Sequence, residues 1–375
     1  MVPPPLAITR RSDIDALRVI ACAGVVLLHA TLIYGPEPLY HLKAGTDSRA
    51  AGLIAEALRI TTMPLFFLLA GWSAVGALRR RDARAFLRER LRRLLVPLVA
   101  GTVLLCPFIK YIELRGGRDM RPAGFRLVPP LQDDFLVFLP KFFGRVAMTT
   151  WSHLWFLAYL LLISVLLLPL LLHLARRAPV EKLPGVTWVF LPGIGLALLV
   201  AAVDGYWPYY PSLYRDWGNV LYYGVCFALG AGLAAWPGWE VRLRQVWPVL
   251  LTVAALAFAA VAWLGETSAG RLAVGMTAWC AAMGAIGLVG GRRFGPWASV
   301  LGPAAMPVYV LHHLVLLLLA LVALRSGAPW WVQAPLIWLG TLAVSAGLWW
   351  FLVRPWGLTR LLFGALPPRS LQHRT

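Results

Sequence analysis

Apolar runs of about 20 residues recur along the whole chain, and they constrain its fold more than any other feature. As a helix, a run of this length crosses the roughly 30 Å hydrocarbon core of a bilayer. Hydrophobic residues make up 60% of the sequence and charged residues only 14%, whereas soluble domains contain about 25% charged residues. This composition excludes an ordinary soluble domain. It predicts an all-α fold, a polytopic transmembrane helical bundle.

We predict about ten membrane-spanning helices from these runs. They lie near residues 14–34, 53–78, 94–112, 153–175, 186–204, 217–236, 246–265, 270–291, 299–324 and 331–353. Together they predict a single membrane-embedded domain over residues 10–355, followed by a C-terminal tail over 356–375. We expect the first run to remain in the mature protein, because Asp13, Asp15 and Arg18 interrupt the region where a signal peptide would be apolar.

The distribution of positive charge predicts the orientation of these spans. A net charge of +19 would suggest nucleic-acid binding in a soluble protein. Here the densest cluster lies in the short loop between the second and third predicted spans: Arg79, Arg80, Arg81, Arg84, Arg88, Arg90, Arg92 and Arg93. An excess of Lys and Arg in a short loop marks the cytoplasmic side of a membrane. We therefore expect an inner-membrane protein with both termini in the cytoplasm.

Residues 113–150 are the main exception, because this topology places a basic stretch outside. Charges in long loops count less toward orientation. Within the stretch, Phe135–Phe143 mixes aromatic and charged residues with a proline and is too short to cross, which predicts an interfacial or re-entrant helix. The cysteines lie inside predicted spans without paired spacing or nearby metal ligands, so we expect neither a disulfide nor a metal site: Cys22, Cys106, Cys226 and Cys280.

Two ionisable residues, Arg18 and His29, lie within the first apolar run. Such residues are costly in a bilayer and usually have a function. The eleven-residue spacing places both on nearly one helix face, about 16 Å apart. Asp15, one turn before Arg18, is positioned to pair with its guanidinium. The residues between them on this face are slender, which predicts a groove for a narrow ligand: Cys22, Val25 and Val26.

Five motifs follow one another along the chain: Asp13–Arg18 with His29 after ten intervening residues, Met63–Trp72, Arg90–Pro97, His153–Leu157 and Tyr309–His313. In this order they resemble the signature of the integral membrane acyltransferase 3 family. The last two are similar to the branch that contains periplasmic glucan succinyltransferases. Two positions depart from the family pattern. Ala16 replaces the common glycine, and Ala70 replaces the common serine, which argues against a catalytic serine at that position.

The resemblance implies an enzyme that transfers an acyl group such as acetyl or succinyl from a cytoplasmic acyl-CoA to a hydroxyl of an envelope carbohydrate or related acceptor. It implies His29 as the essential residue, either as a general base or as a nucleophile. Guanidinium groups suit the phosphates of CoA, so we expect Arg18, Arg90 and Arg93 to bind the donor at the inner surface. The acyl-CoA is then a co-substrate, and no tightly bound cofactor is expected.

Further residues are expected in or near the active cavity, together with Asp15. His153 opens the fourth predicted span on the outer side, and Tyr309 and His312 lie in the middle of a span. Glu56 begins the second span at a depth near His29 and is positioned to orient its imidazole. A salt bridge from Glu56 to Arg59, one turn on, is the favoured interpretation.

Aromatic residues are concentrated in and beside one outer loop: Tyr206, Trp207, Tyr209, Tyr210, Tyr214, Trp217, Tyr222 and Tyr223. They suit either stacking on sugar rings or an ordinary interfacial belt, and the belt is favoured. A transporter of lipid-linked sugars or small anions is the alternative function, although the sequence lacks the internal repeats typical of transporters. A purely structural scaffold would not require Arg18 and His29 on one helix face.

Overall fold

A computed structural model describes residues 11–121, 124–145, 148, 150–203, 212–213 and 216–365. Some predicted features therefore lie outside the described residues. They are the last ten residues of the C-terminal tail and part of the aromatic loop: Tyr206, Trp207, Tyr209, Tyr210 and Tyr214.

The described chain is built almost entirely from helices. The first half contains α1 (Ser12–Leu32), α2 (Arg49–Leu78), α3 (Ala83–Arg90), a π-helical turn (Leu91–Leu95), α4 (Val96–Leu104), α5 (Cys106–Arg115), β1 (Arg118–Arg121), β2 (Gly124–Leu127), α6 (Phe135–Gly144), a 3₁₀ turn (Ser152–Leu154), α7 (Trp155–Leu166) and α8 (Leu168–Arg176). The second half contains α9 (Val186–Ala202), α10 (Trp217–Ala235), α11 (Gly238–Leu264), α12 (Ser268–Val289), α13 (Pro296–Leu301), a 3₁₀ turn (Gly302–Ala304), α14 (Ala305–Ala323), a 3₁₀ turn (Leu324–Ser326), α15 (Trp330–Leu348), a second π-helical turn (Trp349–Val353) and α16 (Gly357–Leu362).

Seven helical segments of the described chain are long and apolar enough to cross a membrane, and two bent helix pairs raise the number to nine. The bends measure 42° between α4 and α5 and 61° between α7 and α8. Each follows from a proline near the start of the second helix, Pro107 or Pro169, because proline lacks the N–H that would continue the hydrogen-bond ladder. The polytopic helical bundle is confirmed. The predicted number of about ten spans is not, because α9 has 17 residues and is only about 26 Å long.

One small sheet departs from the predicted all-α fold. β1 and β2 pair antiparallel, with Arg118 opposite Leu127. After them, α6 occupies the region for which the sequence predicted an interfacial or re-entrant helix. Its Phe138 is buried against Tyr111, whereas Leu136 on the same helix is 80% exposed.

Glycines allow α2 and α10 to cross at very short range. A side chain at Gly71 of α2 would collide with the backbone carbonyl of Phe227, and one at Gly230 of α10 would collide with the carbonyl of Leu68. Small residues at such crossings are how membrane helices gain close packing. Because α1 packs on α2, α14 and α15, this crossing supports the helix that carries Arg18 and His29.

The segment between α1 and α2 is fixed to its surroundings by two basic side chains. Lys43 donates hydrogen bonds to the carbonyl oxygens of Leu32 and Gly35. Arg118 of β1 donates a 2.9 Å hydrogen bond to the carbonyl oxygen of Tyr40. These contacts hold Tyr40 and its neighbour in the chain, a histidine, against the end of α1.

Candidate functional site

Arg18, in the N-terminal half of α1, contacts Asp15 and Ser73. Its Nη1 donates to Asp15 at 3.2 Å, which is the ion pair expected from their spacing, and its Nη2 donates to Ser73 Oγ of α2 at 2.5 Å. The Arg18 side chain remains 33% exposed. The guanidinium is thus oriented by protein groups and still open to a ligand.

Arg90 and Arg93 lie beside Arg18 at this same end. The guanidinium of Arg90 stacks on Phe86 at 5.0 Å, and the positive charges of Arg93 and Arg18 both act on it. Arg93 is 3.5 Å from Glu89, and its Nε has no hydrogen-bond partner among the described residues. The three residues predicted to bind the donor are therefore brought together into a cationic site.

A π-helical turn sets the spacing of this cationic site. The N–H of Val96 bonds to the carbonyl of Leu91, five residues earlier, instead of the four of an α-helix. The turn follows Arg90 directly and contains Arg93. Single π turns inside α-helices occur frequently at functional sites.

His29, near the C-terminal end of α1, belongs to a group of five neighbouring imidazoles, which we call the histidine cluster: His29, His41, His153, His312 and His313. His29 is half-buried. It stacks on His313 with centroids 4.6 Å apart, and its centroid is 5.4 Å from that of His312. Its buried Nδ1 has no hydrogen-bond partner among the described residues.

Backbone carbonyls fix the tautomers of two other members of the cluster. His153 Nε2 donates to the carbonyl of Val310 at 3.0 Å, and His312 Nδ1 donates to the carbonyl of Tyr309 at 2.6 Å. The remaining nitrogens, His153 Nδ1 and His312 Nε2, carry lone pairs and find no partner in the described part of the chain. The hydroxyl of Tyr309 donates to the carbonyl of His153. His153, Tyr309 and His312 thus lie together near His29.

A continuous chain of hydrogen bonds leaves the cluster through His313. Tyr40 Oη is 3.0 Å from His313 Nε2, and Ser152 Oγ is 3.2 Å from His313 Nδ1. Ser152 Oγ is also 3.0 Å from His41 Nε2, and His41 Nδ1 is 2.5 Å from Glu113 Oε2. We call these five residues the Tyr40–Glu113 chain.

A buried group of charges anchors this chain at Glu113. Lys110, which is fully buried, donates to Glu113, and to Asp119 at 2.7 Å. Asp119 also accepts a 2.6 Å bond from Arg121. Burial opposes ionisation of Asp119, but the hydrogen bonds and charges of Lys110 and Arg121 outweigh it, so the pKa of this carboxyl lies below its ordinary value of 3.8.

Sequence reasoning missed most of the Tyr40–Glu113 chain. The sequence could have identified Lys110 and Glu113 as candidates. Both lie in or next to the third apolar run, where paired ionisable residues usually have a function. The sequence could not have identified the other three, because they lie in connecting segments that only folding brings together: Tyr40, His41 and Ser152.

Two expectations about the surroundings of His29 have different outcomes. Glu56 forms an ion pair with Arg59, at 2.8 Å from Arg59 Nε, and so takes the partner that the spacing favoured. The predicted groove between Arg18 and His29 is wrong, because its lining is buried: Cys22, Val25 and Val26. Cys22 Sγ lies 3.7 Å from the carbonyl of Ala305 in α14. Slender side chains here allow two helices to pack and leave no open groove.

No group of three or more His, Cys, Asp or Glu side chains within the described ranges is arranged to hold a metal ion. Neither curated proteins nor solved structures give a significant match to this chain. A family model described as an acyltransferase domain matches residues 11–350. This match includes Arg18, His29, the cationic site and the whole histidine cluster. The chain therefore belongs to the acyltransferase 3 family, membrane enzymes that transfer acyl groups other than amino-acyl groups.

Proposed function

We propose that this enzyme, in the inner membrane, transfers an acyl group from a cytoplasmic acyl-CoA to a hydroxyl of an envelope carbohydrate, with His29 as the reacting group. One observation carries the proposal. The cationic site and the histidine cluster lie at opposite ends of α1, with Arg18 and His29 about 16 Å apart along the helix. This separation is comparable to the length of an extended pantetheine arm. The phosphates of the acyl-CoA would then bind at the cationic site while its thioester lies at the histidine cluster.

The donor end is proposed to face the cytoplasm. Arg18, Arg90 and Arg93 offer planar guanidinium groups that suit phosphate oxygens, and mutual repulsion between their charges is relieved when an anion binds. The surrounding loop contains the densest arginine cluster, which favours the cytoplasmic side. With α9 counted as a short tenth span, both termini lie on that side.

Donor access requires α1 and α14 to separate, because the face between Arg18 and His29 is packed. The contact between Cys22 and Ala305 offers a test. Ala305→Cys is expected to form a disulfide with Cys22 under oxidation and to block acyl transfer, with activity restored by a reductant. The same substitution in a Cys22→Ala background is the control. Full activity in the verified cross-linked protein would exclude this route.

The acceptor is proposed to approach from the outer side, through a cleft of about 220 Å³ between α1 and α2. Leu28, the neighbour of His29, lines this cleft together with Glu37, Arg49, Glu56 and Arg59. Carboxylates and guanidinium groups together provide both acceptors and donors of hydrogen bonds. Such a rim suits a molecule with many hydroxyls, such as a carbohydrate.

In the base route, His29 takes the proton of the acceptor hydroxyl as the oxygen attacks the thioester carbonyl. The carbon–sulfur bond breaks, and the proton passes from His29 to the leaving thiolate. In the nucleophile route, a nitrogen of His29 attacks the carbonyl first, the carbon–sulfur bond breaks, and the ring gives its proton to the leaving thiolate. The acceptor oxygen then attacks the acyl carbon of the acyl-imidazole, the carbon–nitrogen bond breaks, and the hydroxyl proton passes to the released imidazole. Rapid quenching followed by mass spectrometry of the His29 peptide separates the two, because only the second route gives an acylated peptide.

The main test compares acyl decoration of envelope glycans in cells that contain equal amounts of wild type, His29→Ala or His173→Ala. His173 is an exposed histidine of α8 outside the histidine cluster and serves as the matched control. We expect His29→Ala to abolish decoration and His173→Ala to retain it. Unchanged decoration with His29→Ala would remove the catalytic assignment.

A further inference from the structure

The orientation of the His29 ring is set by stacking and not by a hydrogen bond at Nδ1. Catalytic histidines are commonly oriented by a carboxylate at the second ring nitrogen, but Nδ1 of His29 has no partner within the described residues. Instead, the rings of His313 and Tyr40 lie at 19° and 18° to it. These two rings are themselves 22° apart. Whatever fixes His313 and Tyr40 therefore fixes His29.

The Tyr40–Glu113 chain fixes these two rings. Every member is buried, and each contact from Tyr40 to Glu113 is a hydrogen bond of 2.5–3.2 Å. The members come from separate parts of the chain, namely the segment before α2, α5, the 3₁₀ turn before α7, and α14. A buried polar network that is fully satisfied specifies one arrangement of its side chains.

The direction of these hydrogen bonds follows from the charges at Glu113. One carboxylate oxygen accepts from Lys110 and from the N–H of Met120, so the other accepts from His41 Nδ1–H. Lys110 and Arg121 balance the charges of Glu113 and Asp119, and Arg118 adds a positive charge nearby. A neutral His41 avoids a further buried positive charge.

A neutral His41 determines the tautomer of His313. With its proton on Nδ1, His41 accepts from the Ser152 hydroxyl at Nε2. Ser152 Oγ then accepts from His313 Nδ1–H, and His313 Nε2 accepts from the Tyr40 hydroxyl. With these directions, every hydrogen bond from Tyr40 to His41 has one donor and one acceptor.

Ser152 occupies a strained position in order to make these bonds. Its φ of 46° lies in the left-handed region that favours glycine, and its N–H is held at 3.0 Å by Thr150 Oγ1. A glycine would relieve this strain, but it would remove the hydroxyl that joins His41 to His313. Ser152 hydrogen-bonds to both His41 and His313. Because it is only 2% exposed, its hydroxyl is inaccessible to a thioester.

We infer that Tyr40, Ser152 and Glu113 are positioning residues, which hold His313 as its Nδ1–H tautomer and thereby orient the imidazole of His29 for acyl transfer. The catalytic part of this inference rests on the proposed function of His29. The tautomer of His313 does not.

The test uses the full-length protein in nanodiscs with ¹³C- and ¹⁵N-labelled histidine, because ring chemical shifts distinguish the two tautomers. The His313 signals are assigned with His313→Gln. We expect Nδ1–H in wild type and a mixture of tautomers in Ser152→Gly, which removes the hydroxyl and relieves the strain. We also expect kcat to fall about tenfold to a hundredfold at an unchanged donor KM. Loss of a residue that supports a metal ligand in other proteins lowers activity by a similar factor.

Tyr40→Phe, which keeps the stacked ring, is the second variant and is expected to lower kcat in the same way. Ser326→Gly is the control, because Ser326 is exposed and does not belong to the Tyr40–Glu113 chain. An Nε2–H tautomer in wild type, an unchanged kcat in Ser152→Gly, or an acyl group trapped on Ser152 would each overturn the inference. Activity in His29→Ala would instead defeat the proposed function while leaving the tautomer result valid.

Discussion

Ser73 accepts a 2.5 Å hydrogen bond from Arg18, and its own hydroxyl donates to the carbonyl of Leu69 at 2.6 Å. The bond joins α1 to α2 at the cationic site. Because the serine proton is committed to Leu69, its oxygen is free to accept, and the guanidinium is held in one orientation. A side chain of α2 thus orients the arginine that α1 contributes to the cationic site.

With the proposed donor bound at the cationic site, we expect Ser73 to influence donor affinity through this contact. Ser73→Ala is expected to raise the donor KM about fivefold, since a hydrogen bond contributes about 1 kcal/mol, and to leave kcat unchanged. Arg18→Ala is expected to raise it further. Steady-state kinetics with acyl-CoA measure both variants, and Ser299→Ala, at an exposed serine, is the control. A Ser73→Ala enzyme with wild-type donor KM would show that Arg18 needs no support from α2.

Lys110 is expected to be essential for stability. Lys110→Met removes the buried positive charge that pairs with both Glu113 and Asp119, and breaking a buried ion pair costs about 3–5 kcal/mol. Lys141→Met breaks the exposed pair with Asp133 and is expected to cost about 0–1 kcal/mol. Unfolding in detergent, followed by circular dichroism, compares the two. Equal stabilities would contradict the role assigned to the buried charges.

Stability should depend on pH through Asp119. Its pKa is lower in the folded protein than the ordinary 3.8, so its pairing contributes stability above that pH, and the contribution is lost as pH falls through the folded pKa. We expect the thermal midpoint of wild type to fall more steeply below about pH 4 than that of Asp119→Asn. Parallel curves for the two proteins would show that another carboxylate accounts for the acid sensitivity.

The crossing of α2 and α10 should not tolerate a methyl group. Gly71→Ala is expected to destabilise the protein by about 1–3 kcal/mol, the usual cost of overpacking, because the backbone of Phe227 must move. Gly76→Ala lies in the same helix with open space around it and favours helix formation. Thermal unfolding of both variants checks this difference. A Gly71→Ala protein as stable as Gly76→Ala would refute the close crossing.

The sequence predicted those parts of the structure that depend on local patterns. Apolar runs identified the helices, and the i,i+3 spacings identified the partners of Arg18 and Glu56. The groove beside Cys22 was predicted wrongly, because slender residues look the same in sequence whether they line a cavity or allow close packing. The links made by His41 and Ser152 could not be predicted, since they depend on tertiary contacts between segments more than 100 residues apart.

The π-helical turn Leu91–Leu95 contains one residue more than an α-helical turn. The relative positions of Arg90 and Arg93 therefore depend on the number of residues in this segment. Neighbouring residues of a helix are about 100° apart around its axis, so removing one residue between Arg90 and Arg93 would reduce their spacing from three residues to two and place them on opposite faces. Arg90 would then point away from Arg93 while both side chains remained intact. The geometry of the cationic site therefore depends on the number of residues in one helical turn as well as on their identity.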